Sequence, residues 1–182
     1  CCRSAARCDA QAAPRRELIC MLVVVLNGPI NAGKTTTGKA LAAIVPRAAF
    51  FDGDDHDAPD DAPLVARIEA SMRRLEHLIA TADGAVLVLA TPLRHNDYQR
   101  LLRVSATRHA DLRVVTLAPP VETATSNRGS RQLRPDEILR TRQMYVEGYA
   151  SREFSDLTIV DMATPRASAV QICHHFGLSP KL

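Results

Sequence analysis

One turn constrains this chain more than any other feature. The apolar run "LVVVL" (22–26) passes through Asn27 into "GPINAGKTT", which fits G-x-x-x-x-G-K-[ST] from Gly28 to Thr35. Each position has a physical reason. Gly28 and Gly33 permit backbone turns that side chains resist and allow close approach to a phosphate. The amides of the loop, from Asn31 and Ala32 through Gly33 to Thr36, are expected to converge on one anion. They lie beside the positive end of a helix starting near Lys34. Lys34 offers a compact charge for β- and γ-phosphates, and the Thr35 hydroxyl is a ligand for Mg²⁺. The chain has 20 Arg but only three Lys (Lys34, Lys39 and Lys181), so a lysine at this spot meets a specific requirement.

Four further runs share the character of the first: "AAFF" (48–51), "AVLVLA" (85–90), "LRVVTLA" (112–118) and "LTIV" (157–160). They are continuous, largely β-branched and bounded by Gly, Asp or Pro, as strands covered on both faces are. Helices are expected between them, over 34–45, 63–81, 95–109, 121–127, 135–151 and 165–176. The clearest is 63–81, where Leu64, Val65, Ile68, Met72, Leu75, Leu78 and Ile79 make a stripe of helical period. Such alternation implies an open α/β parallel sheet with helices on both faces. Ligands of these sheets sit beyond the carboxyl ends of the strands.

The second strand ends in "FFDGDDHDAPDD", which places six aspartates, from Asp52 to Asp61, on the rim that carries the loop. Like charges packed this closely need a cation or donors to offset them. Mg²⁺ held with water and triphosphate is the expected cation. Asp52, Gly53 and Asp54 are the expected functional core, with one carboxylate on a metal-bound water and the other taking a proton from a substrate hydroxyl. Asp60 and Asp61 are read as caps for the helix at 63–81. Asp55 and Asp57 are read as solvated, and His56 as an exposed loop residue without a role.

From Arg128 to Arg142 the chain reads "RGSRQLRPDEILRTR". Gly129, Ser130 and Pro135 break helix, so a short lid near 128–134 is expected between two helices. At least one of its arginines is expected to neutralise phosphate charge.

Composition bounds the remaining choices. A hydrophobic fraction of 46% and a charged fraction of 24% are those of a globular protein with its own core. The net charge of +3 falls to +1 without residues 1–20, so nothing in it draws the chain to nucleic acid or a membrane. "LICMLVVVL" is too short to span a bilayer. Four of the five cysteines lie in residues 1–20 and have no paired spacing. That pattern is neither a disulfide framework nor a zinc site, and a reducing, cytoplasmic compartment is expected. Residues 1–20 are expected to be a disordered extension ahead of a domain at 21–182, itself a monomer or weak dimer.

Taken together, the loop, "FFDGDD", "MRRLEHL", "RGSRQLRP" and "TRQMY" resemble the shikimate kinase-like small-molecule kinases of the P-loop NTPase superfamily, over about 21–176. The resemblance implies a three-layer P-loop kinase fold with five strands in the order 2-3-1-4-5. It implies ATP and Mg²⁺ as cofactors and a small-molecule hydroxyl as acceptor. Lys34, Asp54 and Arg134 would be catalytic, and Thr35 and Asp52 would serve the metal. The nucleotide would lie on Gly28, Asn31, Ala32, Gly33, Lys34, Thr35, Thr36 and Arg128. Asp54, Arg73 and Arg142 would hold the acceptor, with Glu76 supporting Arg73. One departure bears on the acceptor. Where shikimate kinases carry a glycine triplet after the third strand, this chain reads "LATPLRHND", with Pro92 and Leu93. "VLNGPINAGKTT" also resembles chloramphenicol phosphotransferase, and gluconate kinases share Asp-Gly-Asp after strand two. An antibiotic kinase and an ATPase module without a metabolite acceptor therefore stand as alternatives.

Overall fold

A computed structural model describes residues 21–59, 61–129, 131–161 and 163–181. The expected extension at 1–20 lies outside the described residues. Strand β1 (Leu22–Asn27) is central and pairs in parallel with β3 (Val86–Ala90) on one side and β4 (Asp111–Leu117) on the other. β2 (Ala48–Asp52) adds to β3, and the three-residue β5 (Leu157–Ile159) adds to β4. The order is β2-β3-β1-β4-β5, as the resemblance implies. Register runs straight across, with Leu26 opposite Ala90 and Val115, so the carboxyl ends of these strands form one rim.

The strands read as unbroken apolar runs because their two faces feed two cores. Val24, Leu26, Val88, Val115 and Leu117 pack beneath α1 (Lys34–Ile44) and α6 (Pro165–Phe176), against Leu41, Ile44, Ala169 and Ile172. Val23, Val25, Leu87, Leu89 and Val114 face α2 (Leu64–Thr81) and α3 (His95–Thr107), against Met72, Leu75, Ile79 and Leu101. This is the expected three-layer sandwich, with period-two alternation dividing each strand between the layers.

Two expected helices are shorter than the sequence predicts. α4 spans only Val121–Ala124, because Thr125 donates to Val121 O at 2.8 Å and Ser126 to Thr123 O at 2.8 Å, turning the chain out of the helix. α5 runs Pro135–Val146 and ends before Gly148, whose φ of 75° suits a residue without Cβ. The expected caps of α2 are also corrected. Its N-cap is Pro63, with no side-chain cap, so Asp61 does not serve there, and Asp60 lies outside the described residues.

Candidate active site

The loop between β1 and α1 is shaped by three residues in unusual backbone conformations. Gly28 has φ +142°, and a Cβ there would come within 2.4 Å of Leu117 O, so the loop crosses the end of β4 with no room for a side chain. Asn31 has φ 59°, and Gly33, the N-cap of α1, has φ 91°. The Asn31 amide donates to Ala124 O and Ser126 O, both at 3.0 Å, tying the loop to the segment after β4. Ala32 is fully buried beneath the turn, and Thr36 donates back to Gly33 O at 3.0 Å.

Lys34 folds over this loop and donates to Pro29 O at 2.8 Å and Gly28 O at 3.1 Å. Burial pulls its ammonium down from the ordinary 10.5 to about 8, opposed by Asp54 and Asp52 and reinforced by Arg131. The half-buried ammonium is thus held by two loop carbonyls and feels the charges of two carboxylates and one arginine.

The carboxylates are placed by the end of β2. Asp52 is half-buried and accepts from the Thr35 hydroxyl at 2.7 Å and from Asp54 N at 3.2 Å. Gly53 N donates to Ala90 O at 2.8 Å, and a Cβ on Gly53 would meet Ala90 O and Thr91 at 2.9 Å. Only glycine lets this turn press against the end of β3. Asp54 then stands exposed on the rim, and its charge raises Lys34 more than that of Asp52 does. Thr35 and Asp52 set hard oxygen donors side by side, the donor type that Mg²⁺ takes when water and phosphate complete its shell. Among the described residues no group of three or more His, Cys, Asp or Glu side chains could hold a metal ion.

Beyond Asp54 lies a cavity of about 550 Å³, lined by Asp55, His56, Asp57, Ala70, Arg73, Arg74 and His77. α2 presents Ala70, Arg73 and His77 to it at helical spacing. Asp55 is bound by Arg74 at 2.9 Å, whereas Arg73 lines the cavity and, among the described residues, enters no hydrogen bond or ion pair. Two expectations are corrected here. His56 is half-buried in the wall, with a buried Nδ1 that has no hydrogen-bond partner among the described residues. Glu76 does not support Arg73, because it is bound by Arg100 at 2.8 and 2.9 Å. Arg100 also grips Glu69 at 2.6 and 3.0 Å, clamping α2 to α3.

The expected arginines fall in different surroundings. Arg128 Nη1 donates to Asn31 O at 3.5 Å, which puts it on the loop. Arg134 is 73% exposed and paired with Asp136 at 3.0 Å and Glu137 at 3.7 Å. Arg142 is exposed on α5 and does not line the cavity.

Sequence reasoning passed over Asn27, which underlies the whole rim. Fully buried, it donates to Thr116 Oγ1 at 2.8 Å and Tyr149 O at 3.1 Å, and accepts from Leu93 N at 2.9 Å. Arg152 closes the same knot, donating to Leu93 O at 3.0 Å and lying 4.2 Å over the Tyr149 ring. The signal was an amide ending an otherwise apolar strand. It also explains the departure after β3, where Leu93 is fully buried and both its backbone groups are taken.

This architecture, a 2-3-1-4-5 parallel sheet with a glycine loop and Lys34 at its switch point, is the P-loop kinase fold. No family model and no curated protein matches the chain. Among solved structures it is similar to the tunicamycin resistance protein of Deinococcus radiodurans, with a TM-score of 0.60 and 18% identity over 89% of this chain and 99% of that one. A sugar kinase from a Janibacter species gives a TM-score of 0.64 at 19% identity, covering 88% and 96%. The APS kinase of Mycobacterium tuberculosis, solved with AMPPNP and APS, gives 0.60 at 18%, covering 86% and 98%. No helix among the described residues is long and apolar enough to cross a membrane.

Proposed function

We propose that this chain is an ATP-dependent phosphotransferase that moves the γ-phosphoryl group to a hydroxyl of a small molecule. The observation that carries the reading is Asp54. It stands between the Lys34 loop, where its charge is felt, and a cavity that opens one residue further on. A carboxylate so placed meets both the transferred group and an acceptor hydroxyl.

Lys34 and the amides from Gly28 to Thr36 hold the β- and γ-phosphates, with Arg128 beside the loop and Arg134 on the lid. Thr35 and Asp52 would hold Mg²⁺, which neutralises phosphate charge when bound. Asp54 orients the acceptor hydroxyl and takes its proton as the new phosphorus–oxygen bond forms and the bond from the γ-phosphorus to the β,γ-bridging oxygen breaks, with ADP leaving. Arg73 holds an anionic group of the acceptor from α2, and Arg142 would add a second contact from α5. Catalysis is then positioning plus charge neutralisation.

The similar structures are described as a tunicamycin resistance protein, a sugar kinase and an APS kinase, so the acceptor panel should span antibiotics, sugars, sugar acids and nucleotides. The cavity separates this reading from that of a module that only hydrolyses ATP. The test is transfer from [γ-³²P]ATP across the panel. One acceptor should yield labelled product, and Asp54→Ala should lower its turnover roughly 10²–10⁴-fold, the usual worth of a positioned general base. Normal turnover in Asp54→Ala, or phosphate release that no acceptor stimulates, would refute the proposal.

A further inference from the structure

The chamber beside α2 contains one side chain that the proposed transfer leaves unused. His56 lies on the same bend as Asp54, its N donating to Asp54 O at 3.2 Å, while Asp55 N donates to Asp52 O at 3.2 Å. The bend is fastened to α2 by the pair of Asp55 with Arg74 at 2.9 Å. Asp54 and His56 are thereby carried on one tight turn, and that turn forms a wall of the chamber.

The ring is half-buried, and its Nδ1 is buried without a hydrogen-bond partner among the described residues. An unpaired buried nitrogen costs stability that an apolar side chain of similar size would not. A native fold that keeps such a group needs a reason for it. Nε2, on the other side of the ring, is the nitrogen left for the chamber that His56 lines. The rest of the wall has the same polar character. Only Ala70 is apolar, and the other lining residues are Asp55, Asp57, Arg73, Arg74 and His77. Asp57 brings acceptors and Arg73 brings donors, and a hydroxyl can serve either. Such a wall suits a hydroxylated guest and has no large apolar face on which to pack an aromatic one.

We infer that the acceptor is a small polyol with hydroxyls on adjacent carbons, and that His56 is the residue that selects it. Asp54 meets the hydroxyl that is phosphorylated, and His56 Nε2 meets its neighbour. The inference rests on the phosphotransfer proposed above and names its acceptor class. It adds one hydrogen bond to the acceptor and no covalent step. An imidazole nitrogen donates to a hydroxyl in one tautomer and accepts from it in the other, so either form serves. A lone alcohol satisfies Asp54 but leaves His56 unpaired, which is how a polar site rejects an analogue lacking one hydroxyl.

The test measures transfer from labelled ATP by the full chain to acceptors that differ in the neighbouring hydroxyl. D-Glycerate and D-gluconate carry it, whereas 3-hydroxypropanoate and 6-hydroxyhexanoate carry the same carboxylate with a single alcohol. A polyol should be labelled with kcat/KM roughly tenfold or more above its single-alcohol counterpart, the worth of one hydrogen bond left unmade. His56→Leu should bring the pair within about twofold and leave the KM for ATP unchanged. His56→Gln keeps a donor and an acceptor and should restore part of the preference. A merely structural role for His56 would lower both acceptors together and leave their ratio as in the wild type. The inference is overturned if the preference survives in His56→Leu, if the wild type does not distinguish the pair, or if chloramphenicol or another aromatic alcohol alone is labelled. Those results leave the parent reading standing. ATP hydrolysis that no acceptor stimulates would overturn both, which keeps the two failures apart.

Discussion

On the side of the rim built from β1, β2 and β3, functional groups are fixed by bonds to buried backbone. Asn27 joins Thr116, Tyr149 and Leu93, and Gly53 is fastened to Ala90. On the side formed by residues 127–134, the groups are held by exposed side-chain pairs such as Arg131 with Glu137 and Arg134 with Asp136. The first kind of support is costly to break and cannot be traded for water. The second is cheap, and its partners can be exchanged. The phosphoryl transfer proposed above would draw on both kinds of support.

That contrast can be broken at Asn27. Asn27→Leu removes three hydrogen bonds and strands the Leu93 amide and the Tyr149 carbonyl, at about 1–3 kcal/mol for each buried group left unpaired. The expected loss is about 3 kcal/mol or more in urea unfolding. A change below about 0.5 kcal/mol, the usual bound for an uninvolved site, would show that the fixed half is no firmer than the other. Gly53→Ala probes the same half at its surface. A methyl 2.9 Å from Ala90 O must displace the turn that carries Asp54. Phosphotransfer should fall about a hundredfold, the scale of a misplaced catalytic group, whereas thermal stability should fall only modestly. Unchanged turnover would mean that the Asp54 position tolerates drift.

The smallest effect is set by pH. The unfolded chain keeps the Lys34 proton up to its ordinary 10.5, but the folded chain only to about 8. Between those values the unfolded state carries more protons, so this group makes folding more favourable as pH rises. Binding has the opposite sense. A polyphosphate favours the charged lysine, so its affinity should be full below about pH 8 and decline by up to roughly tenfold per unit above it. Calorimetry in buffers of different ionisation heat should then show proton uptake near pH 8.5, and none for Lys34→Ala. Flat affinity from pH 7 to about 9.5 would separate Lys34 from the phosphates.

Much of the molecule was legible in the sequence because its signals are local. A continuous apolar run admits few readings, and the spacing of Gly28, Gly33, Lys34 and Thr35 is a property of one turn. Asp52, Gly53 and Asp54 were legible because the end of a strand places them on the rim. What escaped depends on distant partners. Glu76 was expected beside Arg73, three residues away, yet its partner is Arg100 on α3. Arg128, Arg131 and Arg134 are equivalent in a linear string and become distinct only when the chain folds back through Asn127. α4 looked longer than it is because hydroxyls returning to their own backbone, as Thr125 and Ser126 do, leave no periodic trace.

The clamp of Arg100 on Glu69 and Glu76 has a consequence for the chamber beside α2. It fastens one flank of α2, and Met72, Leu75 and Ile79 anchor the inward flank, while Ala70, Arg73, Arg74 and His77 look into the chamber. The residues that line the chamber are thus separate from those that keep the helix in place. Under the function proposed above, exchanges at positions 73, 74 and 77 would alter the chamber while the scaffold stands.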